Sequence, residues 1–282
     1  MFADLGLARR IDGAEGSLSA DIAEAVIRRG AVAGAFSRSF SGGVAVFTGV
    51  DSPVNKVIGA GFAGAPEPRD LAALEAGYFS VGGSVRAEVS TLADPAFVKS
   101  LTAHGYVLNG FENVLARSPR GVPDVRARVP EGVRVEAATD PQLWMRIMLD
   151  GFASPDTGVV SAPGEPFDRT VVESLFEDMA GARGFSRYVA RVEGEVAGAG
   201  SMRLLEGVAQ LCGAATLPPF RRRGLQTALL YARLADAAAA GCDVAVVTTE
   251  PGSRSQQNVQ RAGFALLYSR AVLIKAAPAP DA

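Results

Sequence analysis

Sliding the chain over itself by 158 residues lays Ser84–Arg117 on Cys242–Lys275 without a gap. That frame pairs Ala87 with Ala245, Val89 with Val247, Thr91 with Thr249, Gly105 with Gly263, Leu108 with Leu266, Val114 with Val272 and Leu115 with Leu273. Tyr106/Phe264 and Arg117/Lys275 are conservative pairs in the same frame. An internal repeat of this kind is one supersecondary unit used twice, so the chain is expected to hold two copies of one α/β unit. A length of 282 residues, 48% of them apolar, gives each copy enough side chain for its own core.

Hydrophobic periodicity gives the two halves a similar order of elements. The first half reads as helices near 3–14 and 19–29, strands near 31–37, 43–48 and 56–62, a helix near 69–79, a strand near 85–91, a helix near 95–104 and a strand near 106–116. The second half reads as a strand near 133–138, helices near 142–151 and 167–180, and a hairpin turning at Glu193-Gly194-Glu195. A strand near 209–216, a helix over 225–240 stopped by Gly241, a strand over 244–249, a helix near 255–262 and a strand over 264–275 follow. Between the halves, Pro119, Pro123 and Pro130 break Ser118–Gly132, which reads as the inter-domain segment. The expected division is 1–120, a linker or edge strand over 121–131, and 132–282.

Charge and composition exclude several classes. A net charge of −2 offers no global basic field for nucleic acid or an anionic membrane, so any anion site must be local. Two cysteines, Cys212 and Cys242, and one histidine, His104, supply neither a disulfide framework nor metal-ligand spacing, and both cysteines read as packing residues. A Ser-His-Asp or Cys-His mechanism would depend on His104, which sits in a helix-end pattern. Met1–Gly16 is too charged for a secretory signal and no window is apolar enough to span a bilayer, so a cytoplasmic protein is expected.

The segment with chemistry in it is Ala214–Leu230, AATLPPFRRRGLQTALL. A strand ends at Thr216, a Pro-Pro turn follows, and Arg221, Arg222 and Arg223 lead through Gly224 into a helix with no Ser, Thr, Asp or Asn cap. Cations at the positive end of a helix dipole cost about 0.3–1 kcal/mol each. An anion bound at that end would reverse the sign, held by main-chain N–H groups and guanidinium donors. A solvated basic turn is the alternative reading of the same residues.

Arg221-Arg222-Arg223-Gly224-Leu225-Gln226 resembles the acyl-CoA-binding loop of the GCN5-related N-acetyltransferase (GNAT) superfamily, with Gln226 departing from the usual small residue. Ser255-Gln256-Gln257-Asn258 and Arg261-Ala262-Gly263-Phe264 resemble its next motif, an Asn-bearing helix running into Gly-Phe. With the element order, the resemblance covers residues 132–275. It implies an α/β (α+β) fold of two GNAT-like units, each a central, mixed but mostly antiparallel sheet flanked by helices. It further implies acetyl-CoA as co-substrate, no metal, and an amine acceptor, a small molecule rather than nucleic acid or membrane. Main-chain groups of Ala215, Thr216 and Leu217 would pair with pantetheine. Arg222, Arg223, Gly224, Leu225, Gln226 and Thr227 would hold the pyrophosphate, Arg221 or Arg222 the ribose phosphate, and Asn258 the pantetheine arm or the loop.

The departures bear on mechanism. Attack of an amine on a thioester asks for a base, oxyanion donors and an acid. The position of the Glu base of histone-type members holds Gln210, and the Tyr acid that often follows the Asn is replaced by Val259. Glu206, Glu250 and Tyr268 remain as catalytic candidates, beside a water-mediated base aided by proximity. In the first half the loop frame falls on Ala63-Gly64-Ala65-Pro66-Glu67-Pro68, without arginine, and Asn258 maps onto Ser100, so that copy is expected to be degenerate and to bind no CoA. The superfamily usually ends with two strands after Gly-Phe, and only one is visible here. The halves are therefore expected to share or exchange edge strands, with Val125–Val129 as the candidate. The acceptor pocket is expected to draw on Leu149–Phe167. Asp51–Lys56 reads as a hairpin turn or as a wall of a cleft between the halves. The rival readings are a catalytically silent CoA- or acyl-CoA-binding protein and an assembly module with no ligand.

Overall fold

The computed structural model describes residues 1–121, 129–154 and 168–278. Most of the candidate edge strand Val125–Val129 and of the acceptor segment Leu149–Phe167, and the end of the C-terminal tail, lie outside them. The chain divides into two compact units: an N-terminal unit of Phe2–Val114 with Leu267–Ala282, and a C-terminal unit of Leu115–Leu266 with Met1.

The N-terminal unit begins with α1 (Leu5–Arg29), capped by Asp4, which accepts from the Leu7 N–H at 2.7 Å, and closed by left-handed Gly30. Two helices, near 3–14 and 19–29, were expected here, yet the helix is continuous. Glycine costs about 1 kcal/mol in a helix interior. Gly16 compensates by contact: a Cβ there would lie 3.0 Å from Val44 Cγ1, so only its absence lets α1 press onto the sheet. There follow β1 (Phe36–Phe40), β2 (Gly43–Phe47), β3 (Lys56–Ile58), α2 (Pro68–Phe79), β4 (Val85–Ser90), α3 (Pro95–Ala103) and β5 (Val107–Arg117). Both α2 and α3 start on Pro, whose fixed φ and missing N–H suit the first turn.

The C-terminal unit runs β6 (Val133–Ala137), α4 (Pro141–Phe152), α5 (Arg169–Ala180), β7 (Phe185–Val192), β8 (Glu195–Leu205), β9 (Val208–Thr216), a 3-10 turn (Pro218–Phe220), α6 (Leu225–Ala239), β10 (Val244–Thr249) and α7 (Arg254–Arg261). The strand order is β10-β9-β8-β7-β6, antiparallel except for the parallel β9–β10 pair. One face is covered by α6, whose Leu225, Leu229 and Leu234 join Leu211, Ala245 and Val259 in a buried cluster. The other is covered by α4 and α5, where buried Trp144 packs edge-on against Phe176 and donates its indole N–H to the Gly200 carbonyl at 3.0 Å.

The last strand, β11 (Ala265–Lys275), corrects the expected boundary. Arg270–Lys275 pair antiparallel with Ser90–Val85, and β11 takes its place between β4 and β5 in the N-terminal unit rather than closing the C-terminal one. Side chains explain the choice: Leu273 enters the N-terminal core, the Lys275 ammonium meets Glu75 at 2.6 Å, and Arg270 is buried against Asp12. Shifted by 158, β5 and β11 coincide end to end, and α3 and α7 overlap, so the repeated segments adopt the same elements.

Candidate active site

Strand β9 sets the geometry. Its parallel pairing with β10 covers only Val208–Gln210 against Val244–Val246, while β9 continues to Thr216 and β10 to Thr249. Beyond Gln210 the two strands part, and the open edge of β9 lines a cleft of about 1150 Å³. A bulge follows directly on the parting: the β8–β9 register shifts between Gly200 and Met202, with Gly213 in the left-handed region at φ +71°.

Which main-chain groups face the cleft follows from the alternation of an antiparallel ladder. Leu217 N–H donates to the Ala197 carbonyl at 2.9 Å, which makes Ala197/Leu217 and hence Ala199/Ala215 the hydrogen-bonded pairs. Ala215 and Leu217 therefore spend their main-chain groups on β8, contrary to expectation. Thr216 and Ala214 turn theirs outward, and the Arg221 Nε–H reaches the Thr216 carbonyl at 3.4 Å. Ala214 escaped the sequence reading because the bulge that sets the alternation leaves no mark in the pattern.

The arginine run then divides. Arg221 folds back as a clasp, donating to the carbonyls of Thr216 and of Ser154 just beyond α4. Arg223 is exposed and stacks its guanidinium 5.6 Å over the Phe220 ring. Arg222 is exposed, lines the cleft, and holds a left-handed backbone at φ +63°. Gly224 is the N-cap of α6 at φ +78°, with no side-chain cap, so the first N–H groups of the helix, on Leu225, Gln226 and Thr227, point out of its start without an intrahelical partner. The unusual Gln226 has a use: its amide donates to Thr216 Oγ at 2.9 Å and ties the helix start to the end of β9.

Across the cleft, α7 presents Ser255 and half-buried Asn258, while Val259 turns into the core cluster. Deeper in lies Arg233, fully buried, donating to the carbonyls of Leu229, Ser201 and Gly213 at 3.0–3.1 Å. Burial pulls its guanidinium down to about 10. Arg221, Arg222, Arg233, Arg254 and Arg261 all line the cleft, and among the described residues no Asp, Glu, His, Tyr or Cys does. The structure does not bring the catalytic candidates there. Glu206 sits in the exposed β8–β9 turn at φ +48° and Glu250 is exposed past the end of β10. Tyr268 belongs to the N-terminal unit, its hydroxyl donating to Asp12 at 2.6 Å, and burial pushes it well above the ordinary phenol range.

The cleft is thus formed where an open mixed sheet parts beside an uncapped, arginine-rich helix start. Residues 153–264 match the model of the acetyltransferase (GNAT) family. A GCN5-related N-acetyltransferase from Kribbella flavida has the same overall fold at 17% identity and TM-score 0.63, the match covering 98% of each chain. A tandem GNAT protein from the clavulanic acid biosynthesis pathway is similar at 16% identity and TM-score 0.56 over 76% of this chain and 70% of that one. A GCN5-related N-acetyltransferase from Sphaerobacter thermophilus follows at 18% identity and TM-score 0.50, over 71% and 62%. A search of curated proteins gives no match. Among the described residues no helix is long and apolar enough to cross a membrane, and no group of His, Cys, Asp and Glu is placed to hold a metal ion.

Proposed function

We propose that the C-terminal unit binds acetyl-CoA in the β9–β10 cleft and transfers its acetyl group to a small-molecule amine within a ternary complex. One observation carries the reading: the strands part beside an uncapped helix start, in a cleft lined by five arginines and no carboxylate among the described residues. A polyanion with an extended amide-bearing arm fits both halves of that description. The open edge at Ala214 and Thr216 pairs with the amides of the arm, and Leu225–Thr227 N–H groups with Arg222 hold the pyrophosphate. Asn258 meets the arm from α7. The thioester supplies the electrophile. The chain orients it through β9 and excludes water with the buried floor at Leu211 and Leu230. With no carboxylate, imidazole or phenol among the described cleft residues, the amine loses its proton to water before attack, and kcat/KM rises with pH up to the acceptor's own pKa. In the same reading the N-terminal unit is a degenerate copy, with Ala63–Pro68 where the loop would be.

Free-thiol release from acetyl-CoA over a panel of amines tests the transfer, and Arg222→Glu should raise KM for acetyl-CoA at least about tenfold by placing a carboxylate against phosphate. Tight coenzyme A binding without turnover on any amine would favour the silent CoA-binding reading, which the absence of a base from the described cleft supports. Neither binding nor turnover would overturn both.

A further inference from the structure

Three residues stand outside the ladder where β8 and β9 bulge: Ser201 on one strand faces Cys212 and Gly213 on the other, between the pairs Gly200/Ala214 and Met202/Leu211. Side chains supply donors to all three of their carbonyls. The Ser201 hydroxyl donates to Cys212, and Nη1 of Arg233 donates to Ser201 at 3.0 Å and to Gly213 at 3.1 Å. Nε of the same guanidinium donates to Leu229, one turn back on α6, at 3.0 Å, so the cation is fixed against the bulge.

Arg233 is 4% exposed, and among the described residues no carboxylate pairs with it. A buried cation without a counter-ion is destabilising, and an apolar side chain would join helix to sheet without that desolvation. The charge has a use through the peptide group it touches. The Gly213 carbonyl and the Ala214 N–H are the two ends of one planar unit and point in opposite directions. The carbonyl end meets Arg233, and the N–H end belongs to Ala214, whose main-chain groups turn outward along the cleft. A cation on the carbonyl polarises the unit and makes its N–H a stronger donor. Ala214 also stands next to the bulge, at the inner end of the open edge. An arm running back along β9 from the start of α6 therefore brings its far end, the thioester, to this N–H.

We propose that Arg233 is a positioning residue for the acyl group: it holds the bulge and, through the Gly213–Ala214 peptide, strengthens the N–H that meets the thioester oxygen. The inference rests on acetyl-CoA occupying the cleft as proposed above. When an amine attacks, its nitrogen bonds to the acetyl carbon and the C–S bond breaks. The thiolate leaves as coenzyme A, taking up a proton in place of the one the nitrogen gave to water. Negative charge passes through the carbonyl oxygen on the way, and there the stronger donor acts.

Isotope-edited infrared spectroscopy of the full chain with acetyl-CoA carrying 13C at its carbonyl reads this bond, because a stronger hydrogen bond lowers the stretching frequency. Arg233→Gln keeps an N–H donor without the charge and should raise the bound band relative to the parent, whereas Arg233→Lys, which keeps a cation, should leave it nearer the parent's. Arg233→Met replaces the glutamine variant if that one does not fold. Thiol release with hydroxylamine as nucleophile should fall at least about tenfold in the uncharged variant, while its affinity for coenzyme A, which has no acyl oxygen, stays within about threefold. A band unmoved in the uncharged variant, or moved as far by Arg233→Lys, would overturn the proposal. A loss of coenzyme A affinity as large as the loss of rate would overturn it too, since that marks a brace and nothing more. Acetyl-CoA that fails to bind the parent would instead overturn the reading of the cleft.

Discussion

Gly224 and Gly241 offer a matched pair for testing the coenzyme loop. Both have φ +78°, but a Cβ at Gly224 would lie 2.5 Å from Pro130 Cγ, whereas at Gly241 it would meet nothing within 4 Å. An alanine held left-handed costs about 1–2 kcal/mol, so Gly241→Ala isolates the backbone effect. At Gly224 the same strain is joined by a contact that relaxes only near ~3.5 Å, so the loop and the proline ring must separate by about 1 Å. That displacement falls on the amides proposed to hold the phosphates, where each charge-assisted bond is worth about 1.5–3 kcal/mol. Both variants should lose about 2–8 °C in thermal unfolding, on the scale of ~2–4 °C per kcal/mol. Calorimetric titration with coenzyme A should then show Gly241→Ala binding like the parent and Gly224→Ala at least about tenfold more weakly. Equal affinities for the two variants would refute the assignment of the loop, whatever their stabilities.

Lys56→Met removes the ammonium shared by Glu15 and Glu88, each 2.9 Å away, and should cost about 3–5 kcal/mol at neutral pH. Glu15 is held below its ordinary value by Arg270 and Lys56 against the opposing effect of burial, so its contribution is present above the usual carboxylate range and lost as pH falls through the depressed value. The gap between variant and parent in urea unfolding should therefore stay level above the ordinary carboxylate range and narrow only as pH falls below it, and a gap unchanged down to about pH 2.5 would argue against the ion pairs as its source. Trp144 is the only tryptophan, so its fluorescence should report unfolding of the C-terminal unit, and Trp144→Phe, which strands the Gly200 carbonyl, should cost about 1–3 kcal/mol. Glu206→Gln and Glu250→Gln should leave kcat within about twofold, while Tyr268→Phe should lower stability by about 0.5–1.5 kcal/mol with kcat unchanged; a large fall in kcat for any of them would place that residue in the reaction.

The 158-residue repeat, the arginine run into Gly224 and the Asn-bearing helix could all be read from the chain because they are local: periodicity, punctuation and spacing need no knowledge of neighbours. The same locality explains the errors. The expected gap between 14 and 19 contains Gly16, whose contact with Val44 lies far along the sequence. Glu206, Glu250 and Tyr268 are read from their places before, at the end of and beyond successive elements, and the structure puts them in a turn, past the end of β10 and in the N-terminal unit, none among the described residues that line the cleft. Arg221, read from the chain as an alternative to Arg222 for the ribose phosphate, donates to the carbonyls of Thr216 and Ser154, neither of which its neighbours in the sequence predict.

The elements, the repeated segment and the uncapped, arginine-rich helix start are legible in the chain alone, since each rests on residues within a few turns of one another. Tertiary structure decided where β9 and β10 part, which of Ala214 to Leu217 turn outward, and that β11 joins the unit built from the first half. Those outcomes depend on pairing partners and buried charges such as Arg270 with Asp12, 258 residues apart, and no window of the chain contains both.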